Sequence, residues 1–288
     1  MKAIFKHELS SWFTGMTAYV FAGFILLFGG IYTMAYNLNA MVSDFQYVVS
    51  SMSFVFLIII PILSMRVLAE EKRQKTTQLL YSLPISMTQV VLGKFFAQLV
   101  VLALPVAVLS LYPLILSAFG NVHFPAAYGS LLGFWLLGAA LLAMGLFVSS
   151  LTESQPVAAG VCFVVMLLNY FLADLADFVP GTAAASFGAF SLLALILGGI
   201  FWLMTRSGFG GAAVFVALEG ILTVLFILKS SLFEGAFGAL MEKLSLYEQF
   251  ERFVNGVLDI RSIVYFISVI GVFLFLSVQS MERGRWSE

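Results

Sequence analysis

Charged residues are scarce in this sequence of 288 residues. Only 10% of them are Asp, Glu, Lys or Arg, whereas 61% are hydrophobic, and a soluble domain carries roughly a quarter charged residues. This shortage excludes a large soluble domain and predicts an all-α polytopic membrane protein surrounded by a lipid bilayer. The formal net charge of -1 gives no attraction for a polyanion, so we expect no nucleic-acid partner.

Side chains that bind metals or form disulfides are few as well. His7 and His123 are the two histidines, and they lie too far apart in the sequence to suggest a metal cluster. Cys162 is the one cysteine. It cannot form an internal disulfide and lies in an apolar run, which indicates a packing role. We therefore predict no metal site.

Motifs with a known catalytic mechanism are also missing. The sequence contains no Gly-x-Ser-x-Gly elbow and no His-Glu-x-x-His pair, the patterns of common hydrolases and metalloproteases. The segment "GKF" at 93–95 is not a phosphate-binding loop, because Phe95 occupies the Ser/Thr position of that motif. The sequence thus predicts no catalytic residue and no cofactor bound by this chain, and any ATP used must be hydrolysed by another chain.

Long apolar runs are what the sequence has in abundance. A membrane core about 30 Å thick needs roughly 20 apolar residues in a helix, and runs of this kind predict about eight transmembrane helices. They lie near 17–37, 46–68, 90–118, 128–149, 156–173, 186–205, 211–229 and 262–281. The pair 186–205 and 211–229 is separated only by "RSGFGG", and it also suits a re-entrant or interfacial hairpin. The even number places both termini on one side.

Basic residues set the orientation. Most of the Lys and Arg residues fall near the termini and in segment 66–94, whereas those expected on the other side are confined to the connection 230–261 and its flank. Because basic residues are enriched on the cytoplasmic side, we predict that both termini and the charged stretch "EEKRQKTTQ" at 70–78 are cytoplasmic. Two amphipathic segments lie outside the spans, an N-terminal interfacial helix within 1–16 and an outer segment within 230–261.

Glu219 is the only acidic residue near the centre of a predicted span. An ionisable residue inside a membrane is costly and is by default a functional candidate. Glu219 is therefore a possible intramembrane polar site, and a proton-coupled secondary transporter that uses it as the proton carrier is one hypothesis. The alternative is a protonated or hydrogen-bonded packing residue.

The cytoplasmic segment 66–94 combines charge with an apolar ridge. The charged residues of 70–75 are followed by Leu79, Leu80 and Leu83, which share one helical face, and Pro84 then ends that helix. Such a ridge suits a groove on a partner protein. From spacing alone, a loop held inside by its basic residues, with the leucines resting on the membrane, fits equally well.

Four stretches together resemble a known family. They are "MRVLAEEKRQKTTQLLYSLPIS" (65–86), "MKAIFKHELSSWFTGMTAYVF" at the start, "MGLFVSSLTESQPVAAG" (144–160) and "FERFVNGVLDIRSIVYFISVIGVFLFLSVQSMERGRW" (250–286). The chain resembles ABC-2 type transporter permeases, especially the subfamily associated with bacterial gliding motility, except over about 183–229. Typical members have six spans, so the resemblance implies a single permease domain over 1–288, with a six-helix core and an extra helical hairpin at 183–229.

The resemblance also implies the partners and the residues that contact them. It implies a permease of an ATP-binding cassette exporter in the bacterial cytoplasmic membrane, paired with a second copy or a paralogue and bound to two cytoplasmic ATPase subunits that hold ATP and Mg. The coupling segment 69–88 would contact the ATPase through Glu70, Glu71, Lys72, Arg73, Thr76, Leu79, Leu80, Leu83 and Pro84. A shorter element at 151–156 would contact it through Thr152, Glu153 and Ser154.

Two aspects of function stay open at this point. Hydrophobic spans fit a lipid, drug or peptide substrate equally well. The long outer segment 230–261 also leaves room for an extracytoplasmic auxiliary protein, or for a non-transporting module that passes ATPase motion mechanically to an envelope partner.

Overall fold

The computed structural model describes residues 1–74, 86–205, 208–257 and 259–287. Every regular element in these ranges is a helix, and no strand occurs among them. This confirms the predicted all-α class, as expected for a chain that must satisfy its backbone polar groups within lipid.

The first half of the chain forms the helices that carry the coupling segment. They are α1 (Lys2–Thr14), α2 (Thr17–Thr33) with a π-helical extension (Met34–Asn39), α3 (Gln46–Met52), a 3-10 turn (Ser53–Val55), α4 (Phe56–Ser64), α5 (Ala69–Arg73), α6 (Met87–Leu109) and α7 (Tyr112–Leu116). α1 coincides with the amphipathic segment predicted within 1–16. The hydroxyl of Ser86 accepts a hydrogen bond from the Gln89 N–H and caps α6.

The second half adds two long helices and a hairpin. Its elements are α8 (Phe124–Leu151), α9 (Gln155–Tyr170), α10 (Leu172–Asp177), α11 (Ala183–Thr205), α12 (Gly208–Leu228), a 3-10 turn (Ser230–Phe233), α13 (Ala236–Leu244), α14 (Leu246–Val254) and α15 (Ile260–Ser287).

Helices lie at all eight predicted spans, but not all of them have membrane length. In the described residues five spans are long and apolar enough to cross a membrane, namely Thr17–Asn39, Gln46–Arg73, Met87–Leu116, Phe124–Leu151 and Ile260–Arg283. A sixth arises if Ala212–Leu228 and Ser230–Leu244, bent by 118°, are one span. The apolar parts Gln155–Tyr170 and Ala183–Gly199 are shorter. The multi-pass architecture is confirmed, and the number eight stays a prediction.

One compact unit comprises residues 1–168 and 249–288. Its central helix is α8, which is 83% buried over its most apolar stretch and contacts α3, α4, α6 and α15. Glycines make this packing close, because a Cβ at Gly138 would lie 2.7 Å from the Leu102 Cδ2 and a Cβ at Gly145 would overlap the Ser64 hydroxyl. The sequence suggests close helix contacts at these small residues, and the structure has them.

The other compact unit comprises residues 169–248. Its α11 and α12 pack against each other as a hairpin, and the ring of Phe233 contacts those of Phe187, Phe190 and Phe226. The Asn169 side chain donates a hydrogen bond to the Leu244 carbonyl (3.2 Å) and accepts one from the Leu246 N–H (3.0 Å). The two ends of this unit are thereby tied to each other.

Candidate functional site

The candidate coupling site contains α5 and the connection 151–156. Residues 69–74 and 86–88 of the predicted coupling segment are described. The predicted contacts Thr76, Leu79, Leu80, Leu83 and Pro84 lie outside the described residues. Of the charged residues, Glu71 and Lys72 are half-buried and Arg73 is exposed.

Ser149 of α8 holds the beginning of α5. Its buried hydroxyl oxygen accepts hydrogen bonds from the N–H groups of Leu68 (3.2 Å) and Ala69 (3.0 Å), and the hydroxyl donates to the Met65 carbonyl (3.3 Å). N–H groups at the start of a helix have no partner within the helix and need an outside acceptor. A side chain of α8 therefore fixes where α5 begins.

Ser150, the next residue of α8, also binds α5. The Lys72 ammonium group donates a hydrogen bond to the Ser150 carbonyl, and the Ser280 hydroxyl of α15 donates to the same carbonyl (3.1 Å). Since α8 ends at Leu151, these contacts lie directly before the second predicted coupling element. The structure thus places the described beginning of the first predicted coupling element beside the end of α8, the helix that leads into the second element.

A buried lysine joins α5 to two further helices. The Lys94 Nζ of α6 lies 2.6 Å from the Glu8 Oε1 of α1 and 2.7 Å from the Glu71 Oε1 of α5. The side chain of Lys94 is only 3% exposed, and a buried charge is tolerated only when it is paired and hydrogen-bonded. We call Glu8, Lys94 and Glu71 the charge triad. It connects the N-terminal helix, the coupling segment and α6.

A glycine beside the triad lets α1 approach α6 closely. A Cβ at Gly93 would lie 3.0 Å from the Ile4 Cγ2 and 3.4 Å from the Phe5 backbone nitrogen. A side chain at this position would require Ile4 or α1 to shift by a few tenths of an ångström. Gly93 thus permits the close approach of α1 to α6 beside the triad.

The remaining charges of the segment lie nearer the surface. Glu70 pairs with Arg66 at 3.3 Å, with side-chain exposures of 32% and 50%, and accepts a hydrogen bond from the Gln74 side chain (3.2 Å). Exposed pairs of this kind contribute about 0.2 to 1 kcal/mol. The charged stretch therefore divides into Glu71 and Lys72, which bind the helix to its own bundle, and Glu70 and Arg73, which face outward.

The second element is a short, accessible turn. Between α8 and α9, the Ser154 N–H donates a hydrogen bond to the Thr152 hydroxyl oxygen (3.2 Å), a local bond that shapes such turns. Glu153 and Ser154 are exposed and Thr152 is half-buried. All three have the accessibility that a contact with a partner requires.

Glu219 occupies a different setting. It lies on α12 in the unit 169–248, and its Oε1 accepts a hydrogen bond from the Ser191 hydroxyl of α11 (2.9 Å). Its Oε2 is buried and has no hydrogen-bond partner among the described residues. Glu219 thus links the two helices of the hairpin.

The described residues contain no group of three or more His, Cys, Asp or Glu side chains placed to hold a metal ion. The expectation that this chain binds no metal or cofactor stays a prediction. The chemistry that the site offers is ion pairing and hydrogen bonding between helices.

Sequence reasoning missed the roles of Glu8, Lys94 and Ser149. Lys94 is a charge inside an apolar run, and such a residue is a functional candidate by default, so this signal was available. Ser149 gives no comparable signal, because serine is common in membrane helices.

Comparison with known protein families identifies a related family. A family model described as "ABC-2 family transporter protein" matches residues 25–236. The match includes α5, the connection 151–156 and the hairpin at 183–229. A comparison with curated proteins gives no match, and the gliding-motility subfamily stays a prediction.

Proposed function

The chain belongs to the ABC-2 transporter family, and on this premise we propose that it is the membrane-spanning subunit of an ATP-binding cassette exporter, driven by a separate cytoplasmic ATPase. A permease of this family is a transmembrane, non-catalytic subunit and normally works with such an ATPase. In this proposal the pair of ATPase subunits carries ATP and Mg, and a second copy or a paralogue completes the permease.

The observation that carries the coupling proposal is the link between α5 and the end of α8. Ser149 and Ser150 bind α5 directly ahead of the turn 151–156. A partner that contacts both elements would therefore act on one connected body. The ends of α8 and α15 belong to this body through the Ser150 carbonyl.

The charge triad extends this body to α1 and α6. In the proposed mechanism, ATP binding draws the two docking segments of a permease pair together, and α5 passes the displacement to α6 through Glu71 and Lys94. ATP shifts the conformational equilibrium only by its differential affinity for the two states. A rigid connection is needed because, if α5 could move without α6, the difference in ATP affinity would not be coupled to a movement of α6.

The predicted coupling residues then have two roles. Glu71 and Lys72 position the segment from inside the bundle. Glu70, Arg73, Glu153 and Ser154 are accessible for polar contacts, and the ridge of Leu79, Leu80 and Leu83, with Pro84, is proposed to enter the ATPase groove.

The coupling proposal is tested by co-purification with the cognate ATPase. Leu80→Glu places a charge in the proposed apolar contact, so we expect the variant to insert normally and to lose the ATPase. Phe119→Glu is the matched control, because Phe119 is an apolar residue 85% exposed in a loop on the opposite predicted side. Undiminished ATPase recovery with Leu80→Glu would refute the assignment of this ridge.

We further propose that the chain resides in the bacterial cytoplasmic membrane with both termini inside. Single cysteines test this orientation, since the native Cys162 is buried. A membrane-impermeant thiol reagent added outside should label Lys243→Cys and leave Gly208→Cys unlabelled. The reverse pattern would defeat the orientation.

A proton-coupled secondary transporter is the second candidate function. The observation in its favour is the buried Oε2 of Glu219, which has no partner among the described residues. Against it, the described contact of the carboxylate is a single serine hydroxyl, whereas a proton relay needs a chain of polar groups.

A further inference from the structure

A polar cavity lies where α1, α2 and the coupling segment meet. It has a volume of about 330 Å³ and is lined by charged and hydroxyl side chains, among them His7, Glu8, Ser11, Thr17, Arg66 and Glu70. The charge triad forms part of its wall. Its chemistry is that of a site for a polar group with charges of both signs.

An apolar groove continues from this cavity between α2 and α4. Thr17 lines both the cavity and the groove. The other groove residues are all apolar, namely Val20, Phe21, Phe24, Ile58, Ile59, Ile62 and Leu63. Phe21, Ile59 and Leu63 are buried and form its floor, whereas Val20 and Ile62 are 58% and 52% exposed at its rim.

The cavity and groove lie at the membrane depths that these chemistries require. Thr17 begins the span Thr17–Asn39, and Arg66 lies near the end of the span Gln46–Arg73, so the cavity is at the same end of both helices. Headgroups occupy that level of a bilayer. From Thr17 to Phe24 the groove extends about 10 Å along α2 at 1.5 Å per residue, within one leaflet of a core about 30 Å thick.

The charges of the cavity select among headgroups. Three carboxylates (Glu8, Glu70, Glu71) face two permanent cations (Lys94, Arg66), with His7 beside them. Lys94 is already bound to Glu8 and Glu71, which leaves the surface pair of Arg66 and Glu70 to interact with a ligand. α2 begins here without a side-chain cap among the described residues, and a free helix N-terminus favours a phosphate.

We propose that the cavity and groove together bind one phospholipid with a zwitterionic headgroup of the phosphatidylethanolamine type. The phosphate faces Arg66 and the beginning of α2, the ammonium group faces Glu70, and one acyl chain lies in the groove. A purely anionic headgroup would draw Arg66 away from Glu70 without offering that carboxylate a cation in exchange. This site depends on membrane residence and not on the coupling to an ATPase.

The test is lipid retention by the full chain, purified from bilayers that contain equal amounts of phosphatidylethanolamine and phosphatidylglycerol. Native mass spectrometry should find one retained phosphatidylethanolamine per chain. Ile62→Trp fills the groove and should lower retention about tenfold. Leu27→Trp is the matched control, because Leu27 is 57% exposed on α2 and does not line the groove, and it should retain the lipid.

Two further variants test the same lipid site if Ile62→Trp does not fold. Val20→Phe narrows the same groove by a smaller change, and Arg66→Gln removes the proposed phosphate partner, so both should lower retention. Equal retention in the groove variants and in Leu27→Trp would overturn the groove. Preferential retention of phosphatidylglycerol would overturn the headgroup assignment.

A ligand without acyl chains separates a lipid site from a site for a soluble phosphate ester. Glycerophosphoethanolamine should not raise the melting temperature of lipid-stripped protein, whereas phosphatidylethanolamine should. Equal stabilisation by both would overturn the role of the groove. Leu80→Glu, which tests ATPase docking, should leave lipid retention unchanged, so failures of the two proposals are distinguishable.

Discussion

The two compact units differ in how far their helices and polar side chains are buried. In the unit 1–168 and 249–288, Lys94 is buried between two carboxylates and the central helix α8 is largely enclosed. In the unit 169–248, the hairpin leaves large apolar side chains outside, such as Leu192 (61% exposed) and Val216 (65%). The first unit therefore has an enclosed central helix and a buried, ion-paired lysine, although its outer helices also expose apolar side chains such as Leu27 (57%). The hairpin of the second unit has few buried positions among its described residues.

Glycines show the same difference. Gly133, Gly138 and Gly145 lie on α8 where a Cβ would collide with a neighbouring side chain, whereas Gly188 and Gly220 in the hairpin have no atom within 4 Å of an added Cβ. On α8 these glycines permit close contact between helices, whereas Gly23, Gly30 and Gly271 on outer helices of the first unit have open space around an added Cβ. In the hairpin, glycine has no such role.

Removing the buried cation of Lys94 should cause the largest loss of stability among the changes considered. Lys94→Met removes the buried cation that contacts both Glu8 and Glu71, and breaking a buried ion pair costs about 3 to 5 kcal/mol. We expect a marked loss of thermal stability together with reduced ATPase co-purification. Lys243→Met, which removes an exposed cation, is the control and should change stability by no more than about 0.5 kcal/mol. Equal melting temperatures for the two variants would show that the triad is not a structural connection.

Adding one methyl group to a glycine should change stability by an intermediate amount. The sign of the change depends on the atoms that surround the glycine. Gly145→Ala forces α8 and α4 apart at Ser64 and should cost about 1 to 3 kcal/mol. Gly220→Ala meets no neighbour and should be neutral or stabilising by up to about 1 kcal/mol. Melting curves of the purified variants measure both. Destabilisation by Gly220→Ala as large as that by Gly145→Ala would contradict the difference in packing.

Glu219→Gln should have the smallest effect. The amide oxygen can still accept the hydrogen bond from Ser191, so stability should change by no more than about 1 kcal/mol. Under the exporter proposal, transport should be retained in proteoliposomes that contain the ATPase. Complete loss of transport in a stable variant would instead favour the proton-coupled mechanism.

The positions of the long helices were predictable from the sequence, because apolar runs of sufficient length have few alternatives in a membrane protein. The predicted spans 17–37 and 262–281 correspond to Thr17–Asn39 and Ile260–Arg283. The 3-10 turn of the second span has no signal of this kind. The run 46–68 contains a 3-10 turn at Ser53–Val55, and hydropathy does not distinguish a 3-10 turn from an α-helix.

The candidate site was predictable only in part. The charged stretch at 70–75 stood out by composition, but Glu8 and Lys94 are 86 residues apart, and no periodicity connects them. Lys94 was counted only as a basic residue of the cytoplasmic side. Which charges bind the protein itself and which face outward depends on tertiary contacts that a one-dimensional pattern does not contain.

The contact between α8 and α15 has a consequence for biogenesis. α15 packs along α8, with Phe273 against Phe147 and Ser280 bonded to the Ser150 carbonyl, yet more than a hundred residues are synthesised between the two helices. Until α15 leaves the translocon, one side of α8 has no partner helix and must be covered by lipid or by an insertion chaperone. The nascent protein therefore passes through a prolonged stage at which membrane quality control can recognise and degrade it.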